Sequence, residues 1–155
     1  TDHGELRAAQ GEVMAIQLAP CCRPTPGDPI LGSTRKGQGL IIHTHDCPAI
    51  RKARSSEPQK WIDVEWAPEE GRLFEVGIDV EVKNSRGVLA QVASAIAEAG
   101  SNIDHVAMHT DPEHLFTSLH FTIQVANRNH LAQVMRGVRS IPEVTRITRE
   151  RGSSE

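Results

Sequence analysis

The chain has 155 residues, 38% hydrophobic and 24% charged, with a formal net charge of -3. Those values exclude an extended disordered polymer and a strong polyanion binder by bulk charge. Three Phe, two Trp and no Tyr leave any core to Val, Ile, Leu and Ala. The longest apolar runs fall far short of the roughly 18 residues that a membrane span needs. No basic-then-apolar leader is present, and three cysteines, two of them adjacent, do not make a secreted disulfide framework. A reducing cytoplasm is the expected location. An opening on Thr1-Asp2-His3-Gly4 without Met reads as a piece of a longer protein.

Taken in chain order, Met14, Ile16 and Leu18 suggest a first strand. Ile30-Leu31 and Leu40-Ile41-Ile42 suggest two more, joined through a basic, glycine-containing turn over residues 33–39. Asp46 is placed to cap a short helix over residues 48–53, since proline is tolerated in a first turn. Ile62, Val64 and Trp66 share one face of a final strand. A break near residues 67–71, rich in Pro, Gly and acids, divides the chain into residues 1–70 and 71–155.

The second part is the more regular. Phe74, Val76, Ile78, Val80 and Val82 alternate with polar residues, as in a strand with one buried face. Residues 84–87 offer a turn and helix start. Val88, Leu89, Val92, Ala93 and Ile96 then follow at helical spacing, and Gly100 stops the helix. A second strand runs from about Asn102 to His109, with Ile103 out of phase with Val106 and Met108, which predicts a bulge. A turn at Asp111-Pro112-Glu113 leads to a third strand through Leu119, Phe121, Ile123 and Val125. Leu131, Val134, Met135 and Val138 form a second helix face ended by Pro142, and a short strand near residues 143–148 closes the set. The order β-α-β-β-α-β predicts a ferredoxin-like arrangement with both helices on one face. The fold class is therefore α+β: a small β-rich N-terminal module followed by a ferredoxin-like unit.

All three cysteines lie in Cys21-Cys22-Arg23-Pro24-Thr25-Pro26-Gly27-Asp28-Pro29 and His43-Thr44-His45-Asp46-Cys47-Pro48. Zinc takes four Cys or His ligands in a tetrahedron, and Cys21 or Cys22, His43, His45 and Cys47 could supply them. His43 and His45, two apart on a strand, would face one side. Against a metal, the C-x2-C spacing is missing and adjacent cysteines diverge in extended chain. The alternative is a set of semi-buried thiols packing a compact turn. Thiol nucleophilic catalysis lacks an evident oxyanion hole or orienting group; a small metal-dependent enzyme using the His/Cys cluster is a further reading.

Residues 20–60 hold seven Lys/Arg against three acids, a local excess of four positive charges in an acidic chain. Arg23, Arg35, Lys36, Arg51, Lys52 and Arg54, with His43, are the candidate RNA contacts. The segment has no aromatics, which argues against base stacking. A solvated helix face beside a loop explains the same charges.

The run Cys21-Cys22-Arg23-Pro24-x-Pro26-Gly27-Asp28-Pro29-Ile30, then Gly37-x-Gly39-Leu40 and His43-x-x-Asp46-Cys47-Pro48, closely resembles the C-terminal regulatory region of long RelA/SpoT-type stringent-response enzymes. The likeness runs from about Val13 to Arg151. The stretches His130-Leu131-Ala132 and Met135-Arg136, with Pro142, Val144 and Thr148-Arg149, look more like the SpoT or bifunctional Rel branch. The resemblance implies a zinc-finger-like, ribosome-intersubunit module over residues 1–70, in contact with ribosomal RNA, and an ACT domain over residues 71–155. It implies no catalysis by this stretch, because the synthetase and hydrolase domains that make and destroy (p)ppGpp have no counterpart here; the catalytic half of the same protein would be the partner.

In the ACT family an effector, often an amino acid, binds near the first strand-to-helix turn. The family's Asp-Arg-x-Gly-Leu-Leu reads Asn84-Ser85-Arg86-Gly87-Val88-Leu89 here. By resemblance the effector residues are Asn84, Gly87, Val88 and Leu89, with Asn102 and Ile103 from a second chain, and the ligand a branched-chain amino acid. No organic cofactor is expected, and zinc stays open. The open sheet face favours a homodimer. The alternative function is a stand-alone amino-acid-binding ACT dimer with a structural cysteine module.

Overall fold

The computed structural model describes residues 6–8, 16–35, 39–67 and 71–150. They divide into two compact units, one reaching to Arg72 and the other spanning Leu73–Glu150. Among the described residues no helix is long and apolar enough to cross a membrane.

The first unit contains β1 (Leu6–Ala8), β2 (Ile16–Leu18), β3 (Ile30–Arg35), β4 (Gly39–Thr44), a 3-10 turn at Pro48–Ile50, α1 (Arg51–Ser56), a second 3-10 turn at Pro58–Lys60, β5 (Trp61–Ile62) and β6 (Val64–Trp66). Four strands form a sheet in the order β2-β4-β3-β5, with β2 parallel to β4 and the other pairs antiparallel. β4 is central and buried on both faces. Its alternate residues therefore feed two small cores. Leu40 and Ile42 join Ile30 on one side. Ile41 joins Ala19, Cys22, Leu31, Cys47 and Ile50 on the other. Gly32 pairs with Ile42 of β4, and a Cβ added there would come within 2.8 Å of a Leu40 methyl.

Two expectations change here. Ile62, Val64 and Trp66 do pack against one cluster, but not as one strand. β5 pairs with β3, while β6 pairs with β1 in a separate two-stranded ladder. The partner, β1, carries too short a pattern to be read from sequence. The helix start also differs: the residue at the cap position is Cys47, no side chain caps it, and the proline begins a 3-10 turn before α1. Met14, the residue-36–38 part of the basic turn and residues 68–70 of the expected break lie outside the described residues.

The second unit follows the expected order closely: β7 (Phe74–Lys83), α2 (Val88–Glu98), β8 (Asn102–Thr110), β9 (Phe116–Val125), α3 (Arg128–Arg139) and β10 (Val144–Arg149). The antiparallel sheet runs β10-β7-β9-β8. The alternating apolar residues of β7 and β9 form a core with Val88, Val92 and Ile96 of α2 and Leu131, Val134 and Val138 of α3. The predicted bulge is present: the β8–β9 register shifts between Ile103 and His105, so that Ile103, Val106 and Met108 all pair with core-facing residues of β9.

Helix ends carry the local signals. Gly100 has φ 83, and Ser101 N–H donates to Ile96 carbonyl while Gly100 N–H donates to Ala97 carbonyl, a Schellman closure. Asn127 Oδ1 caps α3 by accepting from His130 N–H at 2.8 Å. His130 then ties the two helices together. Its Nδ1 accepts from Ala126 N–H at 3.0 Å, so its Nε2 carries the proton and donates to Ala99 carbonyl at 2.8 Å. His130→Ala leaves a helix-end carbonyl and a loop amide short of partners, and is expected to cost about 1–3 kcal/mol in urea unfolding. A variant as stable as the parent would show that water replaces both bonds.

Candidate metal centre and basic cleft

The double-cysteine run is a turn, and that decides what its sulfurs can do. Arg23 N–H returns to Ala19 carbonyl at 2.9 Å, and Arg23 takes a left-handed φ of 46. Pro24 and Pro26 stiffen the next residues. Buried Asp28 then clamps the loop, its Oδ2 accepting from Thr25 N–H at 2.8 Å and Thr25 Oγ1–H at 3.0 Å. Trp66 Nε1–H donates to Asp28 carbonyl, and His45 N–H to Pro29 carbonyl. The loop is thereby held against the end of β4.

Adjacent cysteines diverge only in extended chain. In this turn both sulfurs converge with His43 from β4 and Cys47 from the loop after it. The ligand atoms of Cys21, Cys22, His43 and Cys47 lie within 4.8 Å of one another. Cys21 Sγ is 3.5 Å from His43 Nδ1, 3.6 Å from Cys47 Sγ and 4.0 Å from Cys22 Sγ, and Cys22 Sγ is 3.9 Å from His43 Nδ1. A tetrahedron with zinc–sulfur bonds of ~2.3 Å and a zinc–nitrogen bond of ~2.0 Å has edges of about 3.5–3.8 Å. The donor set and its spacing therefore fit a Cys3His metal site. The expected set of one cysteine of the adjacent pair, Cys47 and both histidines is corrected: Cys21 and Cys22 both join, β4 ends at Thr44, and His45 turns out to solvent.

Without a metal, the surroundings keep these sulfurs as thiols. Burial, then the neighbouring Cys22 and Cys47, push the Cys21 thiol well above its ordinary value. Burial also raises Cys22, opposed by the Thr44 amide, whose N–H lies 3.3 Å from its sulfur. Such an amide–sulfur contact is an outer-shell support for a thiolate ligand. The Trp61 ring packs edge-on to His43 with centroids 6.0 Å apart, and Trp61 Nε1–H donates to Ala53 carbonyl at 3.4 Å. Neither Thr44 nor Trp61 was singled out from sequence; their roles come from strand register and packing, which leave no local signature.

Beside the cluster lies a cleft of about 480 Å³ lined by His45, Asp46, Cys47, Arg51, Arg54 and Ser55. α1 projects Arg51, Lys52 and Arg54 into solvent, and Arg54 Nη1 holds His45 carbonyl at 3.0 Å. Arg23 is half-buried in the loop. His43 is buried in the thiol cluster, so its assignment to the RNA-facing set is corrected. The Arg35 side chain and Lys36 lie outside the described residues.

In the second unit, Gly87 has φ 80 at the start of α2, with open space where a side chain would sit. Asn84 Nδ2–H is committed to His114 carbonyl at 2.9 Å. Val88 is buried with Val92 and Ile96, because that helix face turns to the core, so its effector assignment is corrected. Asn102 and Ile103 begin β8 at the end of the sheet opposite residues 84–87, since Asn102 pairs with Gln124 while Lys83 pairs with Phe116. Eight steps of strand, ~25 Å, separate the two groups within one chain.

A Cys/His cluster fit for a metal on a small sheet, followed by a β-α-β-β-α-β unit, makes this a two-domain α+β chain. Residues 70–149 match the family model of the ACT domain and residues 7–67 that of the RelA/SpoT RIS domain. The bifunctional (p)ppGpp synthase/hydrolase SpoT of Escherichia coli K12 is 36% identical over 149 residues, 96% of this chain and 21% of that protein. A GTP pyrophosphokinase of Streptomyces coelicolor is 35% identical over 142 residues, 90% of this chain and 16% of that protein. The crystal structure of the ACT domain from a Chlorobium tepidum GTP pyrophosphokinase aligns with a TM-score of 0.45 at 20% identity, covering 50% of this chain and 99% of that one. The chain belongs to the RelA/SpoT family and corresponds to its C-terminal regulatory region. It spans 21% and 16% of the length of these two relatives, and what it carries is the RIS and ACT domains, without the catalytic ones.

Proposed function

We propose that this region regulates a cytoplasmic (p)ppGpp synthetase/hydrolase, with the first unit acting as a zinc-held contact for ribosomal RNA. The observation that carries the reading is the Cys3His cluster directly beside the cleft bearing Arg51 and Arg54. A rigid metal staple would hold the helix that presents Arg51, Lys52 and Arg54, and these offer phosphate contacts without base reading. Occupation of this surface would bias the state of the catalytic half of the protein through differential contacts. Cys21, Cys22, His43 and Cys47 would hold the ion; its contribution is structural cross-linking of the two loops.

Ribosome co-sedimentation across a salt series tests the surface. Changing Arg51, Lys52 and Arg54 to Glu together is expected to abolish pelleting near physiological salt. Single changes to Gln should each lower the slope of log affinity against log salt by about one. Binding indifferent to all three changes would remove the RNA reading of this face.

A second reading concerns the ACT unit. β8 is an edge strand on which Val106 and Met108 are exposed. Antiparallel pairing of β8 with a second copy would carry Asn102 and Ile103 of one chain toward residues 84–89 of the other, closing a site at Gly87 for a branched-chain amino acid. Calorimetry with valine, isoleucine and leucine should then give heat together with a dimer in sedimentation; a monomer silent to all three at millimolar concentration rejects it.

A further inference from the structure

Two sulfurs of the thiol cluster lie close enough for chemistry with each other as well as with a metal. Cys21 Sγ and Cys47 Sγ are 3.6 Å apart. A disulfide needs ~2.05 Å, so its formation draws these two sulfurs closer by about 1.5 Å. The pair bridges 26 positions of sequence, joining the double-cysteine turn to the segment that leads into α1. Cys21 is half-buried, and Cys47, though itself buried, lines the open cleft beside Arg51 and Arg54. Cys22 is the poorer partner. It is buried with the Thr44 amide on its sulfur, and a bridge to adjacent Cys21, 4.0 Å away, would distort the intervening peptide.

We propose that Cys21 and Cys47 are a reversible redox couple, converted to a disulfide by a hydroperoxide, and that this oxidation dismantles the metal site and alters the basic cleft. The Cys21 thiolate attacks a peroxide oxygen. The O–O bond breaks, and the departing oxygen takes up a proton and leaves as water from hydrogen peroxide, or as the alcohol from an organic hydroperoxide, with Cys21 now a sulfenic acid. The Cys47 thiolate attacks that sulfur, the S–O bond breaks, and the hydroxide released is protonated to water. Two thiolates have lost two electrons, and the peroxide has gained them with two protons. Two of the four metal donors are then consumed. Metal coordination keeps the sulfurs deprotonated; without it, burial holds Cys21 as the less reactive thiol.

The inference rests on the sulfur geometry and uses the zinc reading only for what oxidation releases, so the experiment has two arms. The reduced 155-residue chain is loaded with zinc, treated with a small excess of hydrogen peroxide, and freed metal is followed with a chromogenic chelator. Peptides are then sequenced by mass spectrometry before and after reduction. The expected result is one cross-link, Cys21 to Cys47, with one zinc ion released per cross-link and both reversed by dithiothreitol. The second arm oxidises the zinc-free chain at alkaline pH, where the same cross-link is expected. A Cys21–Cys22 bridge, an intermolecular bridge, or sulfinic acid without a cross-link overturns the proposal. A chain that binds no zinc yet forms the Cys21–Cys47 bridge rejects the metal reading and supports the couple. A zinc-loaded chain that forms no such bridge does the reverse.

Discussion

Cys47→Ser is expected to lower the zinc affinity of this chain by more than about 100-fold and to loosen the first unit while leaving Leu73–Glu150 folded. Changes to outer-shell partners alone cost metal sites 10–100-fold, so loss of a direct thiolate should exceed that range. Metal binding by sites of this type contributes on the order of 10 kcal/mol to folding, because the unfolded chain has no preformed site. The first unit depends on it more than most: its two cores are small, and one of them is partly built from Cys22 and Cys47 themselves. The second unit has its own core and shares none of these residues. Competition against a chelator of known affinity gives the first number, and hydrogen exchange resolved by unit gives the second. Unchanged affinity would show that Cys47 is a packing thiol and not a ligand.

The same cluster gives a pH signature with opposite signs in its two states. In the metal-free chain burial raises the Cys21 and Cys22 thiols above their ordinary value of 9.0. The folded state then keeps protons that the unfolded chain gives up first. The contribution to stability is full below about pH 9 and is lost as pH climbs through the raised values. With zinc, protons compete for the sulfurs, so affinity falls as pH drops. Urea melts of metal-free and loaded chain across this range separate the two trends; parallel pH profiles would contradict the shared origin.

Phe121→Ala is expected to destabilise the second unit by about 3–5 kcal/mol, the largest effect of any single truncation in its core. Phe121 lies on β9, is fully buried, and is the largest such side chain among the described residues. Its neighbours on the sheet face are Ile78 across the ladder to β7 and Val106 across the ladder to β8. The buried core is otherwise Val, Ile and Leu, with Met135 packed only at its partly buried margin, so little side-chain volume is free to refill the space. Phe121→Leu should cost much less, since most of the volume is retained. Urea unfolding followed by the second unit's amides measures both, and zinc affinity should be unmoved. A loss under 1 kcal/mol for the alanine change would mean that the core closes over the gap.

Local pattern carried the ferredoxin-like unit almost unaided. The alternation in β7 and β9, the helical spacing from Val88 to Ile96, the stop at Gly100 and the bulge near Ile103 are each written within about ten residues. Each is satisfied by the chain's own backbone and one buried face, so local preference and global fold agree. The first unit was legible only in fragments. Its strands are two to six residues long, and β1 and β6 find each other across more than fifty residues. Strands that short draw their stability from partners, not from propensity.

By itself, then, the sequence determined the β-α-β-β-α-β order, the α+β class, the concentration of thiols and positive charge in one segment, and the likeness to RelA/SpoT regulatory regions. Tertiary structure alone decided that Cys21 and Cys22 both turn inward, that His43 is a buried member of their cluster while His45 is not, and that Val88 faces the core. The reason is geometric. Periodicity reports which side of an element a residue occupies, whereas convergence of donors depends on where a proline-stiffened turn meets the end of a strand, and that meeting is set by register between segments distant in the chain.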